Sequence, residues 1–189
     1  MSPHCRDAGR LPRRCHDAGV PEPGTTALVI LLPAAEPVLA AARRVDPDLV
    51  RPGLPAHVTA LYPFLPDSSL TEEVTAEVRS LAAGFSPPEV RLTELVTTPG
   101  FVALAAPALQ AVADAVCARW PEVLPYGGRF GPRPPAHLTV AMGGSEAALE
   151  QVARDVRPLL PLTAHAKAVQ LVALTDRGWE PRLEAPFGG

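Results

Sequence analysis

The strongest constraint on the fold of this chain is a five-residue pattern that occurs twice. Pro-Ala-His, an apolar residue and Thr stand at residues 55–59 and again at 135–139. The chain has only five histidines, so chance does not account for two copies that share every position. We therefore interpret the pattern as the mark of an internal duplication.

The stretches around the two copies repeat the same order of predicted elements. Apolar runs predict a buried strand from residue 25 and another from residue 101, 76 apart, and the motif histidines are 80 apart. Closing strands begin near residues 88 and 164, again 76 apart. Apolar residues at helical spacing predict two helices in each half. The sequence thus predicts two similar β-α-β-α-β lobes related by approximate two-fold symmetry, with helices on their outer faces.

Local signals predict where individual elements begin and end. Ser69 and Glu72 have the spacing of a capping box, which predicts the start of the second helix there, and Gly84 predicts its end. Residues 88–98 and 162–176 each read as one continuous strand. His165, which no threonine follows two residues later, is interpreted as an ordinary strand residue within the second of these.

The repeated motif places histidine and threonine on the same side of each predicted strand. Side chains alternate along a strand, so His57 and Thr59 project from one face, and so do His137 and Thr139. Polar groups in this position find partners or line a wet cavity, because burying them unpaired costs about 1–3 kcal/mol each. We expect the two pairs to converge on a groove at the pseudo-two-fold axis.

Two imidazoles and two hydroxyls in one groove suit acid-base chemistry at a phosphodiester. The unperturbed pKa of histidine, about 6.5, lets one ring accept a proton while the other donates one. The hydroxyls can hydrogen-bond the oxygens of a phosphoryl group between the rings. The sequence contains no nucleophile elbow, Walker loop or dinucleotide fingerprint.

Three other interpretations of the motif stay open. Each His-x-Thr could be a polar pair that is satisfied within the sheet. The cleft could also bind nucleotides or RNA without turning them over. A third alternative is a two-histidine metal site, although neither motif holds a carboxylate at ligand spacing and catalytic zinc normally takes three protein ligands.

The composition of the chain indicates which partners and which cellular compartment to expect. A net charge of −3 argues against a generally basic surface for nucleic acid, although a local basic groove is compatible with it. Cys5, Cys15 and Cys117 are too few for a disulfide framework and odd in number, which favours the reducing cytoplasm. Cys117 lies in a helical apolar pattern, so a core position is expected. No apolar run reaches the length of a membrane helix.

The first 24 residues differ in character from the rest. They show no helical or strand periodicity and are rich in Pro, Gly and Arg, which predicts a disordered tail at residues 1–24. The spacing of the potential zinc ligands in this tail matches no common zinc finger; they are His4, Cys5, Cys15 and His16. One folded domain is expected over residues 25–189, with motifs at 57–60 and 137–140.

The two motifs together resemble the signature of a known superfamily. HVTA and HLTV, about eighty residues apart, resemble the two-histidine (2H) phosphoesterases, in particular their 2′-5′ RNA ligase-like and cyclic phosphodiesterase branches. The opening strand TALVILLP, the LYPF after the first motif and the closing VQLVALTDRGWEPRLEAPF are similar to the same family. The resemblance covers nearly the whole chain from residue 25.

The resemblance implies an α+β, bilobal fold in which mainly antiparallel sheets form a central cleft, with no metal or cofactor required. It implies hydrolysis or ligation at RNA 2′-5′ linkages or at 2′,3′-cyclic phosphates, with RNA ends or small nucleotides as partners. Carried over to this sequence, His57 and His137 form the acid-base pair, and Thr59 and Thr139 supply the hydroxyls that hold the phosphate. A monomer is expected.

The loop YGGRFGPRP before the second motif is a further candidate for substrate contacts. Its glycines allow a mobile loop that brings aromatic and basic side chains to the cleft rim, where they can stack on a base or bind phosphate. The residues concerned are Tyr126, Arg129, Phe130 and Arg133. Loop arginines that are merely solvated are the competing interpretation. Tyr62, five residues after His57, is expected in the core, because strand alternation directs it away from that histidine.

Overall fold

The described part of the chain, residues 22–188 of this computed structural model, contains nine strands and four α-helices. The strands are β1 Thr26–Leu31, β2 His57–Leu61, β3 Glu89–Leu92, β4 Leu95–Thr98, β5 Phe101–Ala105, β6 His137–Met142, β7 Leu162–His165, β8 Ala168–Thr175 and β9 Gly178–Pro186. The helices are α1 Glu36–Val45, α2 Glu72–Ala83, α3 Gln110–Arg119 and α4 Glu146–Val156. None of these helices combines the length and the hydropathy needed to cross a membrane.

Most of the predicted tail lies outside the described residues, including the candidate zinc ligands His4, Cys5, Cys15 and His16. Residues 22–24 are described and lie against the folded domain. The Gly24 N–H donates to the carbonyl of Leu174 at 2.8 Å, and the Gly24 carbonyl accepts from the Asp67 N–H at 2.9 Å. These three residues are therefore tied to the domain that begins at β1.

A seven-stranded sheet in the order β4-β5-β6-β2-β1-β8-β9 carries the two motif strands, β2 and β6, at its middle. All of its neighbouring strands run antiparallel. β3 and β7 form a second, two-stranded antiparallel sheet. The protein therefore has the α+β class and the antiparallel sheets that the sequence predicts.

The two halves of the chain are interleaved through these sheets. β1 to β4 of the first half correspond in order to β5 to β8 of the second, yet β4 pairs with β5 and β8 pairs with β1. Strands of one half thus pair with strands of the other. β2 and β6 share one residue pair, Val58 with Leu138, whereas every other pair of neighbouring strands shares at least four. The pairing between neighbouring strands of the sheet is therefore shortest between the two motif strands. The division of the molecule into two lobes stays a prediction.

One face of the large sheet is covered by the helices and forms the main core. Leu28 and Ile30 of β1, and Val58 of β2, are fully buried against apolar residues from all four helices. The opposite face carries a smaller cluster, in which Tyr62 and Trp179 pack against apolar residues of β1 and β8. Since neighbours on a strand alternate, the residues beside Val58 project from this second, less covered face.

The second helix begins with a different capping residue from the one that the sequence predicts. Ser69 lies in a short 3-10 turn, and the N-cap is Thr71, whose hydroxyl accepts a hydrogen bond from the Val74 N–H at 3.3 Å. Glu72 is consequently the first helical residue rather than the third, so the predicted capping box is wrong. Gly84 follows the helix as predicted.

Each of the two long predicted strands is divided between the two sheets. Residues 88–98 contain β3 and β4, and residues 162–176 contain β7 and β8. The prediction of single strands fails because β3 and β7 pair with each other, whereas β4 and β8 add to the large sheet. His165 is the exposed last residue of β7, which agrees with its interpretation as an ordinary strand residue.

Candidate active site

The two motifs lie side by side on the open face of the large sheet. The pairing of Val58 with Leu138 brings His57 level with Thr139, and Thr59 level with His137. All four polar side chains are half-buried, and the apolar residues that alternate with them are fully buried. The structure thus brings the four predicted residues together on adjacent strands of one sheet.

The residue before each histidine is held by the start of the first helix in its own half. The Ala56 N–H donates to Glu36 Oε1 at 2.5 Å, and its carbonyl accepts from the Leu32 N–H at 2.7 Å. In the second half, the Ala136 N–H donates to Gln110 Oε1 at 2.7 Å. Because these contacts repeat, the two motif strands enter the site in the same way.

The backbone before each motif also fixes the tautomer of its histidine. His57 Nδ1 lies 2.7 Å from the carbonyl oxygen of Pro55, and His137 Nδ1 lies 2.7 Å from that of Pro135. A carbonyl oxygen only accepts, so in the neutral ring the proton is on Nδ1 and the lone pair is on Nε2. Phe101 of β5 packs edge to face with the His137 ring, with centroids 5.4 Å apart. Each ring is therefore oriented for proton transfer at Nε2.

The two histidines differ in the charge of the side chain that supports them. Glu36 carries a carboxylate, whose second oxygen pairs with Arg43 at 3.3 Å. Gln110, at the equivalent position, is a neutral amide that donates to Asp114 Oδ1 at 2.9 Å. A carboxylate therefore contacts the first motif directly through the Ala56 N–H. In the second half the neutral amide of Gln110 lies between the motif and the nearest carboxylate, Asp114.

Burial sets the protonation of His57. Desolvation lowers the pKa of His57 below its ordinary value of 6.5, while the hydrogen bond to Pro55 and the negative charge of Glu36 raise it. The nearby His137 lowers the pKa of His57 a little further. His57 is consequently neutral near pH 7, with the Nε2 lone pair available to take a proton.

A β-bulge follows the threonine of both motifs. In β2 the extra residue is Ala60, because Thr59 and Leu61 pair with consecutive residues of β1. In β6 the extra residue is Val140, at the same place relative to its motif. Each bulge shifts the alternation by one residue, so side chains beyond it change face.

The bulge in β2 corrects the prediction for Tyr62. Strand alternation directed this residue into the core, but Tyr62 packs on the open face beside Trp179, because Ala60 takes up one extra position. Burial raises the pKa of the Tyr62 phenol, and the positive charge of Arg51 acts in the opposite direction. Tyr62 therefore belongs to the surroundings of the site.

Four aromatic rings form a row at the Tyr62 end of the site. Successive centroids are 6.3, 6.0 and 5.5 Å apart along Trp179, Tyr62, Tyr126 and Phe130, which we call the aromatic row. The Tyr126 N–H donates to the Tyr62 carbonyl at 2.6 Å. Burial raises the pKa of the Tyr126 phenol, and hydrogen-bonding contact with the Thr59 side chain acts against this. The row thus reaches the first motif directly.

The predicted loop residues all lie on this side of the site, at different distances from the motifs. Tyr126 contacts Thr59, and Phe130 packs on Tyr126 with 56% of its surface exposed. The Arg129 guanidinium lies over the Phe130 ring, 5.3 Å from its centroid. Arg133 lines a small pocket together with Thr59, Tyr126, Cys117 and His137. Cys117, expected in the core, is half-buried: it packs against the main core and also lines this pocket.

Sequence reasoning missed several residues that border the site, and two of them have a visible signal. The helix starts repeat as Pro-Ala-Ala-Glu at 33–36 and Pro-Ala-Leu-Gln at 107–110, so Glu36 and Gln110 could have been found by aligning the halves. Arg51 and Trp179 have no local signal, because loop and sheet contacts place them. Within residues 22–188, no three His, Cys, Asp or Glu side chains are grouped so as to hold a metal ion.

A duplicated α+β fold that presents one His-x-Thr pair from each half on a common face defines a class of protein, the two-histidine phosphoesterases. A family model described as the 2′-5′ RNA ligase superfamily matches residues 31–178. The chain belongs to this superfamily.

Comparison with individual proteins adds little to this assignment. The chain is similar to the crystal structure of E. coli LigT complexed with NADP+, at 17% identity and a TM-score of 0.48. The similarity covers 89% of this chain and all of that one. No curated protein sequence matches the chain.

Proposed function

We propose that this protein is a metal-independent phosphoesterase that acts on RNA 2′-5′ linkages or nucleoside 2′,3′-cyclic phosphates by paired histidine acid-base catalysis. The observation that carries the proposal is the equivalent tautomer of the two histidines. Both Nδ1 atoms face a carbonyl oxygen, which leaves the Nε2 atom of each ring for proton transfer. Membership of the superfamily supports phosphoesterase chemistry in general.

In hydrolysis of a cyclic phosphate, His57 acts as the general base. Its Nε2 takes a proton from a water molecule as the water oxygen forms a bond to phosphorus. The lowered pKa of His57 keeps the ring neutral beforehand, and the Glu36 carboxylate stabilises the imidazolium that forms.

His137 acts as the general acid on the other side of the phosphorus. For this step His137 is the imidazolium, with protons on both Nδ1 and Nε2. As the bond from phosphorus to the departing ribose oxygen breaks, Nε2 delivers its proton to that oxygen and the ring becomes neutral. Thr59 and Thr139 donate hydrogen bonds to the two non-bridging oxygens, where negative charge increases in the transition state. Afterwards His57 releases its proton and His137 regains one from solvent. With a ribose hydroxyl of a second RNA end in place of water, the same steps join two ends.

The remaining parts of the proposal concern the setting of the reaction. The partners are RNA ends or small nucleotides, bound by a monomer. The few and odd cysteines of the sequence support action in the reducing cytoplasm.

The test offers 2′,3′-cyclic nucleotides and 2′-5′-linked dinucleotides to the purified protein in excess chelator. Wild-type protein is expected to turn over at least one of them. His57→Ala and His137→Ala are each expected to lower the rate about 10²- to 10⁴-fold, the usual contribution of one general acid or base. His165→Ala is the matched control, because this exposed histidine lies in β7, in the other sheet.

Three outcomes would contradict the proposal. Loss of activity in chelator would indicate a metal requirement, and full activity of either motif variant would exclude paired catalysis. Tight binding of the nucleotides without product would instead favour a non-catalytic nucleotide- or RNA-binding module that uses the same cleft.

A further inference from the structure

Two loops border the site and contact the motif strands in an equivalent way. The first loop, residues 46–56, joins α1 to β2, and the second loop, residues 120–136, joins α3 to β6. Each loop contacts the residue five positions after the histidine of the opposite motif. Tyr126 of the second loop binds the Tyr62 backbone, and Arg51 of the first loop places Nη2 3.5 Å from Met142 Sδ.

The two loops differ in length and in the side chains that they bring to the site. From the helix start to the histidine there are 21 residues in the first half (36 to 57) and 27 in the second (110 to 137). The longer second loop supplies Tyr126 and Phe130 of the aromatic row. The first loop supplies a guanidinium instead. The second loop therefore brings aromatic rings to the site, and the first loop brings a positive charge.

Arg51 is free to bind an anion. It is exposed, and it makes no ion pair with any carboxylate within residues 22–188. Its contact with Met142 is weak, because a thioether sulfur is a poor acceptor. The bulge at Val140 puts Met142 on the same face as Thr139, so the guanidinium beside Met142 lies over the open face.

The position of Arg51 separates it from the scissile phosphate. Met142 stands three residues beyond Thr139 on β6, about 10 Å along the strand. The hydroxyls of the motifs hold the central phosphoryl group in the proposed mechanism, so Arg51 reaches the edge of the substrate.

We infer that Arg51 binds a second phosphate of the substrate, on the open face beside Met142. This inference rests on the proposed function and narrows its substrate class to nucleotides that carry a phosphate in addition to the reacting one. A guanidinium binds phosphate oxygens through two parallel hydrogen bonds, which suits this role better than a lysine does. The second phosphate is either a terminal 5′-phosphate or the next phosphodiester of an RNA chain.

The test compares three substrates: adenosine 2′,3′-cyclic phosphate, the same nucleotide with a 5′-phosphate, and a diadenosine that ends in a 2′,3′-cyclic phosphate. Wild-type kcat/KM is expected to be about tenfold higher on at least one of the two substrates with a second phosphate, the size of one charge-assisted hydrogen bond. A gain confined to the 5′-phosphorylated nucleotide identifies a terminal phosphate, and a gain on the dinucleotide identifies an internucleotide one. Arg51→Gln is expected to remove this preference, and Arg51→Lys to restore part of it.

The matched control is Arg79→Gln, which removes an exposed arginine of α2 and is expected to keep the preference of the wild type. A wild-type protein without the preference, or an Arg51→Gln protein that retains it, overturns the inference while the proposed function stands. If wild-type protein turns over none of the three substrates and no 2′-5′-linked dinucleotide, the proposed function fails. Calorimetric binding of the three compounds then tests the role of Arg51 without turnover. Weaker binding of the doubly phosphorylated compounds by Arg51→Gln then supports the phosphate contact, and equal binding excludes it.

Discussion

Glu36 and Gln110 occupy equivalent positions in the two halves, and the difference between them is charge. Each side-chain oxygen accepts from the N–H before its histidine, so the backbone geometry is the same. The carboxylate adds an electrostatic effect, because its charge raises the pKa of His57 against the lowering by burial. The Glu36 carboxylate stabilises the proton that moves onto His57, and the second motif has no charge at the same position. This difference favours His57 over His137 as the base in the proposed mechanism.

Exchange of these two side chains tests which histidine is the base and which is the acid. In Glu36→Gln the acceptor for the Ala56 N–H is retained, but the pKa of His57 falls and its imidazolium loses stabilisation. The base works only when neutral, so the acidic limb of the kcat/KM profile is expected to move to lower pH. The plateau is expected to fall roughly three- to tenfold, since tenfold corresponds to about 1.4 kcal/mol.

Gln110→Glu is the reciprocal variant and adds a carboxylate beside the proposed acid. The acid works only when protonated, so the alkaline limb is expected to move to higher pH while the acidic limb stays in place. Asp114 and Arg133 also lie at this end, and both are left unchanged. Profiles of kcat/KM against pH check both variants, and a shift of the alkaline limb in Glu36→Gln would reverse the assignment of base and acid.

At the scale of single elements, the first loop depends on a close contact at the end of β6. Gly144 has φ of +72°, and a Cβ at this position would overlap Leu49 Cδ2. Leu49 is almost fully buried, with 2% of its surface exposed, so it has little freedom to move away. Gly144 therefore lets the loop that carries Arg51 pack against the motif strand.

Alanine variants of two adjacent glycines separate this contact from backbone strain. Gly143 also has a positive φ, of +81°, but no atom lies within 4 Å of the place that an alanine methyl group would take there. Gly143→Ala is expected to lower the free energy of unfolding by about 1–2 kcal/mol, the cost of a left-handed residue. Gly144→Ala is expected to cost roughly 1–3 kcal/mol more, because it also overpacks Leu49. Urea unfolding measures both, and equal losses would show that the contact with Leu49 is unimportant.

How far the sequence predicts the elements depends on how local each signal is. The common face of His57 and Thr59 follows from two-residue alternation, and the structure has both on the open face. The face of Tyr62 could not be predicted, because the bulge at Ala60 exists only in the pairing with β1. The predicted capping box is also wrong. Ser69 and Glu72 have the right spacing, but Thr71 lies between them and is the N-cap residue.

For the molecule as a whole, the duplication was visible in the sequence, but the way in which the halves combine was not. The periodic pattern predicts equivalent strands in each half, and it contains no information on which strands pair across the repeat. The structure interleaves them: β1 with β8, β2 with β6, β3 with β7 and β4 with β5. Of the nine strands described, β9 alone pairs only within its own half. The two motifs share a face because of this exchange.

The interleaving predicts that neither half folds without the other. A cut between Pro99 and Gly100, in the turn from β4 to β5, leaves every strand of the first half without one of its partners. The separate fragments 1–99 and 100–189 are therefore expected to show no cooperative thermal transition by circular dichroism. When mixed, they are expected to recover one transition, because the pairing across the halves can form again.

A protease site inserted at the same turn and cleaved after folding provides the control. The nicked protein has lost the same peptide bond, but all of its strand pairs are already formed, so we expect it to retain the fold and to unfold in a single step. Loss of structure in the nicked protein would mean that the connection itself is required. A cooperative transition in either isolated fragment would instead mean that each repeat holds a core of its own, and the exchanged strands would then be an addition to two independent units rather than the source of the shared site.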